Sequence, residues 1–64
     1  MTPEKMQALA YINSAMDDLW SAYKEAKNAY EYFSDDDLYA IASRALTTMV
    51  SLLEVERKVN NSEI

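Results

Sequence analysis

From Leu9 onward, apolar or aromatic residues recur at alternating steps of three and four: Leu9, Ile12, Met16, Leu19, Tyr23, Ala26, Tyr30 and Phe33. A repeat averaging about 3.5 residues keeps one stripe of an α-helix turned toward a single neighbour, as in a coiled coil. The residues just before the first member of each pair are Ala8, Ala15, Ala22 and Ala29. An alanine flank of this kind lets a partner helix come close, so the pattern predicts a long first helix in close antiparallel packing.

The start of that helix is written locally. Thr2 has a hydroxyl suited to an N-cap, Pro3 fits the first helical position where no N–H is needed, and Glu4 places a negative charge at the positive end of the helix dipole. The pattern stops at Ser34-Asp35-Asp36-Asp37, the one polar cluster able to interrupt helix in a chain with no glycine and a single proline. Ser34 is expected to cap a second helix, with Asp37 reaching back and Phe33 stapling to Leu38. The aspartates lack the spaced oxygens, glycine and terminal glutamate of a calcium loop. Helix 1 is therefore placed at about 3–33, the cap and turn at 33–37, helix 2 at about 35–59 and a short tail at 60–64, all within one domain spanning 1–64. Asn60 and Asn61 are expected to end helix 2 in the left-handed conformation.

On a helical wheel, Leu38, Ile41, Ala42, Ala45, Leu46, Met49, Leu52, Leu53 and Val59 span an arc of roughly 160°, widened by Val50 and Val55, whereas a helix resting on one partner needs a stripe of about 100°. One neighbour does not cover such an arc. Sheltering Leu46, Val50 and Leu53 offers on the order of 5 kcal/mol per chain, comparable with the whole stability of a small domain. The expected fold class is all-α: a coiled-coil-like antiparallel two-helix hairpin that assembles with copies of itself into a helical bundle. Leu46, Met49, Val50 and Leu53 are assigned to the oligomer interface.

Composition narrows the chemistry. The 64-residue chain has no cysteine and no histidine, which removes disulfides, thiolate nucleophiles, imidazole acid–base catalysis and the usual zinc sites. A glycine-rich phosphate loop is excluded in the same way. Chains of this size bury only about 60% of their unfolded surface and are marginal without a staple or a partner, which again points to self-association. Eleven acids against six bases, a net charge of -5, argue against direct nucleic-acid binding or attachment to anionic membranes. The amino-terminal residues do not read as a signal peptide, and no run of eighteen apolar residues occurs, so a cytoplasmic location is expected.

Three groups of residues are candidates for contact with other molecules. Tyr11 and Tyr32 fall on the polar side of helix 1 and, with Trp20, are assigned to binding a partner protein, since aromatic residues are enriched in interfaces. A turn between Phe33 and Leu38 places Lys27 level with Arg44 and Tyr23 level with Thr48. That layer gathers Lys24, Lys27 and Arg44 with the aromatic faces of Trp20, Tyr23 and Tyr30, and Tyr23, Lys24, Lys27 and Arg44 are its candidate site for a small anionic ligand such as a nucleotide. Pairing of Trp20 with Lys24 and of Lys27 with Glu31 would account for the same cations without a ligand. Finally, Asp17, Asp18, Glu25, Glu31 and the run 35–37 make one side negative enough to imitate a nucleic-acid backbone. Glu56 is the one carboxylate near the middle of an apolar arc.

The expected function is that of a non-enzymatic small interaction protein, needing no cofactor or metal. It self-associates and regulates or inhibits a larger protein by occupying its surface. A chain of this length suits a bacterial or bacteriophage accessory factor. The alternatives are an oligomeric sponge for a small anionic ligand and an acidic nucleic-acid mimic.

Overall fold

The computed structural model describes residues 2–62; the last two residues of the expected tail lie outside them. Two α-helices, α1 (Pro3–Tyr32) and α2 (Asp36–Asn60), form an antiparallel hairpin, a rod of 47 × 15 × 10 Å. No strand occurs among the described residues.

The amino-terminal cap of α1 forms as its sequence dictates. Thr2 Oγ1 accepts a hydrogen bond from the Lys5 amide at 3.1 Å, Pro3 begins the helix, and Glu4 lies in its first turn. At the other end the register differs from expectation by one residue. Phe33 leaves the helix in an extended conformation, and the Asp35 amide donates to the Phe33 carbonyl at 2.7 Å.

Asp35, not Ser34, caps α2: its Oδ1 accepts from the Asp37 amide at 2.7 Å. A carboxylate is a charged acceptor facing the positive end of the helix dipole, so it is favoured over the neighbouring hydroxyl. Ser34 Oγ instead turns back and donates to the Tyr30 carbonyl at 3.5 Å. The staple between Phe33 and Leu38 does not form, since Phe33 is 69% exposed. With the cap moved to Asp35, Phe33 is no longer next to it and has lost the position from which a staple closes.

The carboxy-terminal end also departs from expectation. Asn61 is right-handed, with φ -86° and ψ -2°, and no residue with positive φ occurs among those described. The terminal carbonyls are met from the other helix. Lys5 Nζ donates to the Asn60 carbonyl at 2.9 Å and to the Ser62 carbonyl at 2.8 Å. A cation at the negative end of a helix dipole, satisfying carbonyls that lack intrahelical donors, makes a left-handed cap unnecessary.

Burial follows a three–four alternation on both helices, strict on α2 and joined by Ala8 and Ala15 on α1. On α2 the covered residues are Leu38, Ala42, Ala45, Met49, Leu52, Glu56 and Val59, and they face the covered stripe Lys5, Leu9, Ile12, Met16, Leu19, Tyr23, Ala26 and Tyr30 of α1. The most buried positions are Ala26, Ala42, Ala45 and Met49. Close approach is thus made at small residues on the seam itself. The alanine flank contributes only in part: Ala8 and Ala15 are half-buried, Ala22 and Ala29 exposed. A heptad position on a straight helix drifts by about 20° per repeat, so a flank that faces the partner at one end turns away toward the other.

Two helices alone leave much apolar surface uncovered. Ile41, Leu46, Val50, Leu53 and Val55 remain between 42% and 58% exposed, and among the described residues no side chain is completely buried. By length and composition α2 is also apolar enough to cross a membrane, and only 17% of its apolar stretch is buried.

Candidate functional site

Each residue that directly follows a seam residue projects to one side of its helix. Because both helices are right-handed and run antiparallel, these positions of α1 and α2 share one broad face of the hairpin. On that face, toward the turn, lies a cleft of about 390 Å³, lined by Tyr23, Lys27, Tyr30 and Glu31 from α1 and by Tyr39, Ala42, Ser43 and Leu46 from α2. Its floor is low because Ala42 and Ser43 are small. One end is closed by Tyr30 and Tyr39, whose rings meet at 5.7 Å between centroids with planes tilted by 60°.

Beside the cleft the α1 surface continues as an aromatic and cationic strip. Trp20 and Tyr23 stack at 5.6 Å with planes 25° apart, and the Lys24 ammonium sits 5.7 Å from the Trp20 ring centroid. This lies within the range of a cation–π attraction, so the one-turn pairing of Trp20 with Lys24 is present. A shallower depression follows the strip and is lined by Trp20, Tyr23, Lys24, Lys27, Asn28 and Glu31.

The four residues of the expected anion site are therefore divided. Tyr23 and Lys27 line the cleft, and Lys24 lies on the adjoining strip. Arg44 lines neither surface. It precedes the seam residue Ala45, whereas Lys27 follows the seam residue Ala26, so the two cations project to opposite faces. The layer is also displaced, for the ring contact of Tyr30 with Tyr39 sets the helices about two residues away from the register that puts Lys27 level with Arg44. With Arg44 on the opposite face, the charges lining the cleft are one lysine and one glutamate, so Lys27 is the single cation left there for an acidic group.

No family model, curated protein or solved structure gives a significant match to this chain. The function must therefore be read from the surfaces themselves.

Of the four residues assigned to an oligomer interface, Leu46, Val50 and Leu53 project outward, whereas Met49 is buried between the helices and belongs to the hairpin's own core. The seam alternation explains the difference. Met49 continues the steps Leu38, Ala42, Ala45, while Leu46, Val50 and Leu53 each follow a seam residue by one and form a second stripe beside it.

The three aromatic residues assigned to partner binding are exposed but do not form one patch. Tyr32 is 93% exposed and Tyr11 is also open. They lie about 31 Å apart along α1 at 1.5 Å per residue. Trp20 belongs to the other side of the helix, with the cleft.

The acids are likewise dispersed. Asp17, Asp18, Glu25, Glu31, Asp36 and Asp37 are exposed, whereas Asp35 is half-buried and engaged in the cap. Among the described residues no three carboxylates converge closely enough to hold a metal ion. Glu56 occupies a half-buried seam position, toward the open end of the hairpin.

Tyr30, expected in the layer, lines the cleft, and Tyr39 and Ser43 complete it without being marked by the hydrophobic pattern. The seam rule locates them: Tyr39 and Ser43 follow Leu38 and Ala42 by one residue, and Tyr30 is the seam residue nearest the turn.

Proposed function

We propose that this protein is a non-enzymatic interaction module whose hairpins associate into a helical bundle, and which acts by occupying the surface of a larger protein. The observation that carries this reading is the second apolar stripe of α2. Leu46, Val50 and Leu53 lie in a row beside the seam and are left about half exposed by α1. At about 1.5–3 kcal/mol for each large aliphatic side chain fully buried, covering this row accounts for much of what a chain of this size needs to stay folded.

A cytoplasmic location fits the same stripe better than a membrane does. Arg44 and Glu54 interrupt the apolar stretch of α2, and a charged side chain at the centre of a spanning helix costs about 2.5–3.5 kcal/mol. The melting temperature measured across a hundredfold range of protein concentration tests the proposal. It rises with concentration if folding and association are linked, and stays constant if the hairpin folds alone.

A second reading is supported by the cleft: a small ligand with an aromatic ring and an acidic group, held by Tyr23, Tyr30 and Tyr39 with Lys27 as its single cationic partner. Calorimetry with a panel of nucleotides tests it, and absence of heat at millimolar ligand removes it. Nucleic-acid mimicry draws no support from the dispersed acids.

A further inference from the structure

The outward stripe of α2 runs Tyr39, Ser43, Leu46, Val50, Leu53 and Arg57, in steps of four, three, four, three and four. It is symmetrical about a point between Leu46 and Val50. It extends for about 27 Å at 1.5 Å per residue, more than half of the 47 Å rod. Two such stripes laid antiparallel, with Leu46 against the partner's Val50, bring Ser43 opposite the partner's Leu53 and Tyr39 opposite the partner's Arg57. Each pairing is complementary: aliphatic on aliphatic, a small residue facing a large one, and a guanidinium on an aromatic ring.

We infer that two copies of this chain join through the face that carries the tyrosine-walled cleft, antiparallel and with their turns at opposite ends, the partner's Leu53 seated in the cleft over Ser43. This inference rests on the self-association proposed above and adds its surface and register. The cleft leaves room for such a knob, a hollow of about 390 Å³ in which Ala42 and Ser43 lie between larger neighbours.

Charge supports the same arrangement. The same register brings the partner's Asp17 toward Lys24 and Lys27, and the partner's Arg57 toward Glu31 at the cleft edge. Both unlike-charge contacts occur twice by symmetry, and an isologous interface demands this self-complementarity. Trp20, half-exposed on the same face, then lies close to the two-fold axis, covered by the second copy.

The chain has no cysteine, so introduced thiols report proximity without background. A mixture of Ser43→Cys and Leu53→Cys proteins, refolded together and oxidised, is expected to give a cross-linked dimer. Neither variant cross-links efficiently alone, because like positions on the two copies stand about 15 Å apart along the axis. Asp17→Lys is expected to weaken the dimer by about tenfold, and adding Lys27→Asp to the same chain to recover much of the loss. Both sites are exposed, so folding of the hairpin does not depend on them.

Cross-linking of an Ile41→Cys and Val55→Cys mixture instead, on the opposite face, would overturn this inference and leave self-association standing. So would a dimer by sedimentation with no link between positions 43 and 53. A folded monomer by sedimentation removes both.

Discussion

Lys5 reaches across the open end of the hairpin and donates from Nζ to the Asn60 carbonyl at 2.9 Å. With its second bond to the Ser62 carbonyl at 2.8 Å, it closes the end of α2 from the first turn of α1. The two ends of a 47 Å rod are thus held differently, by the Phe33–Asp35 turn at one and with hydrogen bonds from Lys5 to the end of α2 at the other.

Lys5→Met keeps the aliphatic stem and removes the donors. We expect it to cost about 1 kcal/mol, in the range of charge–dipole and charge-assisted hydrogen bonds at partly exposed helix ends. Thermal unfolding followed by circular dichroism measures this. An equal melting temperature in Lys5→Met and the parent would show that the contact contributes nothing. Hydrogen exchange at the last turn of α2 should accelerate in the variant before any change is seen near the turn.

The cap at the turn gives a paired test. Asp35→Ala should destabilise by about 1 kcal/mol because it removes the acceptor for the Asp37 amide. Ser34→Ala should change stability by less than about 0.5 kcal/mol, since its hydroxyl makes only one long bond to a helix carbonyl. Chemical denaturation of both variants ranks them, and the opposite ranking would reassign the cap.

The first helix was legible because its pattern is redundant: seven seam residues from Leu9 to Tyr30 and a Thr-Pro-Glu start all specify one element, although Phe33, which continues the pattern, leaves the helix and is exposed. The second helix was legible as a helix but not in its facing. Its apolar residues form two adjoining stripes, and a wheel merges them into one wide arc. The wide arc does not separate Met49 from its outward neighbours, although the steps from Leu38 through Ala45 place it on the seam. Glu56 hides the same repeat, because a carboxylate stands where the alternation calls for an apolar residue.

The turn is ambiguous by one residue in the sequence because Ser34 and Asp35 both have capping side chains. Only the three-dimensional path of the extended Phe33 decides between them. Lys5 is not marked by the hydrophobic pattern because it is polar. Its position four residues before Leu9 nonetheless continues the seam backwards, and an antiparallel partner brings the negative end of α2 to that place.

Packing at the seam makes a further prediction. Ala45 is among the most buried residues and sits where the helices approach. Ala45→Leu should cost about 1–3 kcal/mol by forcing them apart, while Ala22→Leu, on the exposed part of the flank, should be nearly neutral. Guanidinium denaturation of the two variants separates these outcomes, and a neutral Ala45→Leu would show that the seam is not closely packed.

Tyr32, 93% exposed at the last residue of α1, contributes little to the hairpin. Tyr32→Ala should leave the melting temperature within about 2 °C of the parent, consistent with a surface change below 0.5 kcal/mol. Its effect should appear instead in capture of a partner protein from the native host, which it should reduce. A large loss of stability would place Tyr32 in a core formed by association.

Sedimentation equilibrium at micromolar concentration, with helicity recorded on the same sample, tests the central claim most directly. The account predicts a helical species of at least twice the 7.3 kDa chain mass, with unfolding accompanying dissociation. A stable, helical 7.3 kDa monomer with Leu46, Val50 and Leu53 in contact with water would contradict it.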